Sequence, residues 1–313
     1  MTILSSVNLI PDAPVRHIVE LAIEAERLGF DRCWVSDEAL ATRDAFVTLA
    51  AIGLRTRTLR IGTGFTDPSL RDPKVTCNAV ATLQELTGGR TFLGVRPPNQ
   101  KDSALALGES VAACRLLFSG EPTSYRGQTV SLRDEMLGFA DPETEIWVLA
   151  LDEDSLRIGA TAGDGIVIDI CHHEILDRTT TAIREAGAET GNSPKICLTT
   201  MIVTSEAEMA AARPHAAQWI AKATEPVTQR LGLRAVDVVN LRNAVGRDPH
   251  EAAQMVREEW IRPFVIAGSP SECAFELTEL IDRHGIDEFI VPILDLRFAV
   301  DTMQSASEVF ALT

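Results

Sequence analysis

The segment Leu59-Arg60-Ile61-Gly62-Thr63-Gly64-Phe65-Thr66-Asp67-Pro68 limits what this chain can fold into more than any other. It opens as a short strand, passes through a turn bounded by glycine and proline, and leads to Pro73, where a helix starts. Gly62 and Gly64 carry no side chain, so a ligand or another backbone approaches closely there. The pattern returns after a helix ending at Thr87-Gly88-Gly89, where Arg90-Thr91-Phe92-Leu93-Gly94 reads as the next strand. This is the strand-then-helix rhythm of an α/β barrel, in which the chemistry sits just after each strand.

The rest of the chain keeps that rhythm. Thr2 to Asn8 reads as the first strand, Pro14 to Leu28 as a helix capped by Gly29, and Cys33-Trp34-Val35 as the second strand. Helices follow over Asp44 to Arg55, Val75 to Leu86 and Lys101 to Phe118, and Gly120 to Asp134 is a surface excursion. Glu145 to Leu151 is the fifth strand and Ser155 to Ala162 a short helix. The sixth strand, Gly165 to Ile170, is apolar except for Asp169, as a strand covered on both faces should be. Pro194 to Thr204 is the seventh strand and Glu288 to Ile293 the eighth. Ser205 to about Pro263, rich in alanine and charged residues, is too long for one crossover. It reads as a helical insertion that covers the barrel mouth or makes a subunit contact. Ser269 and Glu272 form a capping box for the helix ending at Gly285.

The chain has 313 residues, 45% of them hydrophobic, which suits a single (β/α)8 TIM barrel with the 205–263 insertion before the last strand. A net charge of −16 argues against nucleic acid or anionic membrane as a partner. No apolar run is long enough to span a membrane, and the N-terminus lacks a signal-peptide pattern. Six cysteines without a C-x-x-C pair read as buried free thiols of a cytoplasmic protein, not as metal ligands.

Thr63-Gly64-Phe65-Thr66-Asp67-Pro68-Ser69-Leu70-Arg71-Asp72-Pro73 resembles the TG-x-T-x-P-x-x-R-x-P signature of the bacterial luciferase-like superfamily, and within it the methylenetetrahydromethanopterin reductase-like branch. Matching pieces run along the chain: Ala25-Glu26-Arg27-Leu28-Gly29-Phe30-Asp31, Trp34-Val35-Ser36-Asp37, Leu86-Thr87-Gly88-Gly89-Arg90, Ala162-Gly163-Asp164-Gly165 and Ile266-Ala267-Gly268-Ser269-Pro270. The resemblance implies a barrel oxidoreductase using coenzyme F420 or FMN on a small-molecule substrate, and a homodimer. It implies ring-binding roles for Thr63, Gly64 and Phe65, with a cis Gly64–Phe65 peptide, and cofactor contacts from Gly94, Arg96, Ala150 and Leu151. Asp37 and Glu38 occupy the family's Asp-His position, which makes them the proton-handling candidates. A carboxylic acid acts as a general acid there if burial raises its pKa.

The chain departs from the family at several points. Asn8 stands where some reductases have a carboxylate. Pro97 and Pro98 offer no N–H after the fourth strand, which leaves Arg96 to meet a phosphate with its side chain. Asp152, Glu153 and Asp154 follow the fifth strand, where they would repel a phosphate or complement the dipole of the next helix. His172 and His173 point to opposite faces, so one of them at most reaches a pocket. These departures keep two rivals open beside the hydride-transfer reading. One is a cofactor-free barrel that catalyses a cyclisation or isomerisation, and the other is a non-catalytic subunit.

Overall fold

The computed structural model describes residues 3–99, 102–169, 173–223, 225–230 and 232–313. In chain order the first half runs β1 (Leu4–Leu9), α1 (Val15–Arg27), β2 (Arg32–Val35), α2 (Ala45–Gly53), β3 (Arg60–Thr63), α3 (Pro73–Thr87), β4 (Thr91–Val95) and α4 (Ser103–Phe118). The hairpin β5 (Thr123–Arg126) and β6 (Ser131–Glu135) follows, then β7 (Ile146–Leu149), α5 (Glu153–Ala162), β8 (Gly165–Ile168), α6 (His173–Thr190) and β9 (Lys195–Thr199). β10 (Met201–Val203) leads into α7 (Glu206–Lys222), α8 (Glu225–Arg230), α9 (Ala235–Val245), α10 (Pro249–Met255) and α11 (Glu258–Ile261). β11 (Val265–Ala267), α12 (Pro270–His284), β12 (Glu288–Ile293) and α13 (Ala299–Leu312) complete the chain. The order β1-β12-β9-β8-β7-β4-β3-β2 closes into an all-parallel barrel.

Three details differ from the sequence reading. The apolar run Pro194 to Thr204 is not one strand: β9 ends at Thr199, and β10 leaves the barrel to pair with β11. The Thr200 hydroxyl marks the break by donating to the Phe264 carbonyl. Helix α5 starts at Glu153 rather than Ser155, because Asp152 is its N-cap. The surface excursion is a hairpin pinned by buried Glu109, whose carboxylate accepts from the backbone of Gln128, Thr129 and Val130.

Strand register and tilt sort the inward side chains into layers drawn from alternate strands. From the base upward they are Arg32, Phe92, Gly165 and Glu288, then Ser6, Gly62, Trp147 and Cys197, then Trp34, Gly94, Val167 and Ile290. All of these are buried. The rings fill the centre because glycines stand against them. A Cβ on Gly62 would overlap the Phe92 ring, and one on Gly165 the Trp147 ring. The layer above is Asn8, Gly64, Leu149 and Thr199, of which Asn8, Leu149 and Thr199 keep accessible surface. The barrel is therefore solid below and opens only at the C-terminal ends of its strands.

Charge is buried at the base. Arg32 lies 2.7 Å from Glu145 and 3.3 Å from Glu288, with its guanidinium against the Phe92 and Trp147 rings. Glu288 also accepts from the Ser6 hydroxyl at 2.5 Å and from Trp34 Nε1 at 3.2 Å. Burial pushes the Glu288 carboxyl above the usual range, against the pull of Arg32 and of those two donors. At Glu145 burial pushes the same way, but Arg32, Trp147 and Arg60 outweigh it and hold the carboxyl well below its ordinary value.

Arg32→Met leaves Glu288 buried without its cation and is expected to cost about 3–5 kcal/mol at neutral pH. Because a raised folded pKa means that the fold favours the protonated acid, the loss should shrink as pH falls toward 5, and adding Glu288→Gln should recover much of it. Denaturant midpoints for the four proteins of this cycle check it. Gly62→Ala should destabilise by about 1–3 kcal/mol through overpacking. Gly108→Ala, inside α4 with the nearest Ile158 atom 3.7 Å from the new methyl, should stabilise by about 0.5–1 kcal/mol in the same measurement.

Candidate active site

The β3–β4 ladder ends at Gly62 and Phe92, and the chain then makes its turn. Thr63 bridges the gap: its hydroxyl donates to the Gly94 carbonyl at 2.7 Å and accepts from the Gly94 amide at 3.0 Å. Pairing resumes at Thr66 and Val95. Between these points lies the Gly64–Phe65 peptide, which is cis, and the Phe65 ring packs 5.1 Å from Trp34. A Cβ on Gly64 would come within 2.9 Å of Asn8 Oδ1 and Trp34 Cβ, so glycine lets the turn sit down on the layer below. The rest of the signature builds the turn. Asp67 Oδ1 accepts from the Ser69 and Leu70 amides, Arg71 pairs at 2.6 Å with Asp44, the N-cap of α2, and Asp72 and Pro73 start α3.

Arg96 continues β4 by one residue, its amide donating to the Thr66 carbonyl. Its guanidinium lies 3.3 Å from the Phe65 carbonyl, 3.4 Å from Asp67 and 3.5 Å from Glu38. The structure thus brings Phe65, Arg96 and Glu38 together, with Asp67 as a member that the sequence reading left out. Glu38 itself is half-exposed and faces that cation, so the burial that a general-acid role asks of it is missing. Asp37 is 5% exposed, and its Oδ2 has no hydrogen-bond partner. Thr66 Oγ1 is likewise buried and unpartnered.

The turn after β7 is acidic, and most of its amides are engaged. The Ala150 amide donates to the Val167 carbonyl, and the Leu151 and Asp152 amides both donate to Ser155 Oγ. Asp152 Oδ1 accepts from the Ser155 amide at 2.8 Å, completing a capping box. Asp152 caps α5 while Glu153 and Asp154 occupy its first turn, where they complement the helix dipole. Leu151 is 55% exposed and presents an apolar side chain.

Above the half-open layer, the alternation places Ser36, Arg96, Asp169 and Pro292. Ser36 Oγ lies 3.2 Å from Asn8 Oδ1. Asp169 is exposed just past the end of β8. Desolvation raises its carboxyl above the ordinary range, opposed by its own amide and by Lys222 at the end of α7. Burial lowers His215 of the same helix, while Asp295, just after β12, pulls the other way. The insertion therefore reaches the barrel mouth through α7. The sequence signal for Asp169 is a lone carboxylate at the end of an apolar strand, whereas nothing local marks Lys222 or His215. His172 lies outside the described residues, and His173 opens α6. No cluster suited to a metal ion occurs among the described residues.

The mouth suits the ring of a flavin or deazaflavin: an accessible layer of Asn8, Leu149 and Thr199 lies over an aromatic floor. The turn after β7 does not suit a phosphate, since its amides at Ala150, Leu151, Asp152 and Ser155 are already engaged.

A family model described as luciferase-like monooxygenase matches residues 3–288. A 5,10-methylenetetrahydromethanopterin reductase of Methanolobus tindarius is 26% identical over 294 residues, covering 88% of this chain and 90% of the relative. Among solved structures, the coenzyme F420 dependent tetrahydromethanopterin reductase from Methanopyrus kandleri superimposes with a TM-score of 0.88 at 20% identity, covering 98% of each chain. The oxygenating constituent of 3,6-diketocamphane monooxygenase from Pseudomonas putida, in complex with FMN, gives 0.70 at 16% identity, covering 99% of this chain and 98% of the other. With its signature turn, closed barrel and open strand ends, the chain belongs to the luciferase-like monooxygenase family.

Proposed function

We propose that the protein is an oxidoreductase that uses coenzyme F420 or FMN to transfer hydride to a small unsaturated or imine substrate. The observation that carries this reading is the accessible layer of Asn8, Leu149 and Thr199 above the Trp34 floor. Gly64, Phe65 and Gly94 would back the ring, and Leu151 would cover its edge. The cofactor supplies the hydride. The chain's part is to orient the ring and exclude water, while Glu38, in contact with water and Arg96, would relay protons beside Asp37. Absorbance titration with reduced and oxidised forms of both cofactors tests it, with micromolar binding of one of them expected. Binding of neither would favour the cofactor-free barrel, the reading to which the closed β7–α5 turn lends support.

That turn has a measurable consequence. With the Ala150, Leu151, Asp152 and Ser155 amides engaged and the carboxylates of Asp152, Glu153 and Asp154 adding negative charge there, riboflavin and FMN should bind with affinities within about threefold of each other, since a charge-assisted phosphate contact is worth about 1.5–3 kcal/mol, or more than tenfold. Calorimetry comparing the two ligands checks it, and a tenfold preference for FMN would overturn it.

The protein is further proposed to be a homodimer in a reducing cytoplasm. Helix α2 is apolar around most of its circumference, and Val47, Leu54, Val75 and Leu86 stay exposed on the neighbouring helices α2 and α3. The five described cysteines are free and buried. Sedimentation velocity should show a dimer at micromolar concentration and a monomer for Val47→Glu/Leu54→Glu. A wild-type monomer would remove the dimer.

A further inference from the structure

In the two uppermost inward layers of the barrel, Asp169 is the one carboxylate and Arg96 the one cation. Arg96 is already engaged by Glu38, Asp67 and the Phe65 carbonyl. Asp169 lies two residues beyond Val167, whose side chain belongs to the aromatic floor, so it projects into the mouth on the same face. It is exposed there. The charged group that acts on it is Lys222 of α7; His215 of the same helix acts on Asp295 instead.

We propose that Asp169 is the proton donor of the pocket, delivering its proton to the substrate atom that gains the electron pair of the reduced double bond, with Lys222 setting its charge state. This rests on the oxidoreductase reading. For an imine, the hydride pair arrives at carbon from the reduced deazaflavin or flavin, which loses two electrons. The C=N π pair moves onto nitrogen, and nitrogen takes the proton from the Asp169 carboxyl. The product is the CH–NH amine, Asp169 is left as carboxylate, and a proton from water restores it. An acid that stays protonated above the usual carboxylate range suits this task, because a general acid works best with a pKa near the operating pH. Glu38, beside a fixed cation and half in water, is the poorer donor.

The test begins without any cofactor. In the whole chain labelled with carbon-13 aspartate, one carboxyl should titrate above the ordinary range, vanish in Asp169→Asn, and move further up in Lys222→Met. Titration in the ordinary range, or a signal that Lys222→Met leaves in place, would overturn the proposal. Lys222 is exposed, so this arm survives even if Asp169→Asn folds poorly. Turnover is then read with reduced coenzyme F420 and methylenetetrahydromethanopterin as the probe pair. Asp169→Asn should lower kcat about 100-fold with KM within threefold, and Asp169→Glu should restore part of it. A kcat within twofold of wild type in Asp169→Asn would also overturn it. Absence of wild-type turnover with this pair would count against the oxidoreductase reading and leave the titration to decide Asp169 alone.

Discussion

The fit of large rings against absent side chains inside the barrel is the constraint on which the rest depends. Trp34, Phe92 and Trp147 occupy the space that Cβ atoms at Gly62, Gly94 and Gly165 would need. Close packing of this kind tolerates little change in volume. It also divides the molecule. Beneath the rings, Arg32, Glu145 and Glu288 form a buried ionic base that no ligand can enter. Above them, the inward positions turn small, polar or aliphatic, and water reaches them. A site at the strand ends follows from that packing as much as from any single reactive residue.

At the mouth, most polar side chains serve the backbone. Thr63 replaces two ladder bonds, Asp67 holds a turn, Asp152 and Ser155 close the start of α5, and Ser269 with Glu272 closes the start of α12. Each satisfies groups that would be costly to bury alone. Once these are set aside, few polar groups remain for chemistry. Asp37 and Thr66 have oxygens without partners, Arg96 is shared among three weakly held contacts, and Asp169 faces the opening.

How much of this was legible follows from the same division. The barrel, its helix starts at Pro73 and Pro270 and its insertion were readable, because hydrophobic period and capping residues are local signals. The split of β9 from β10 was not, since the run from Ile196 to Val203 is broken only by Thr199 and Thr200, and a departure from the barrel leaves no mark in hydropathy. The acidic Asp152-Glu153-Asp154 read either as an electrostatic obstacle to phosphate or as a complement to the dipole of the next helix. In the fold the same residues start a helix, and it is the engaged amides beside them that close the turn. For Glu38 the strand-end position was visible, whereas the burial that a general-acid role asks for was not. Asp169 was visible as an exception within an apolar strand, but its setting depends on α7, more than thirty residues later in the chain.

The insertion adds a final step. Its helices gather around Ala212, Ala216, Ile220, Leu241 and Trp260 with the small β10–β11 sheet, a core separate from that of the barrel. Because the two cores share few side chains, α7 can change its residues at the mouth without disturbing the ring-against-glycine fit below. The barrel supplies a fixed floor and a carboxylate at the end of β8. The insertion supplies Lys222, which acts on Asp169, and His215, which acts on Asp295. The residues of α7 that act on Asp169 and Asp295 thus belong to a part of the chain whose core is separate from that of the barrel.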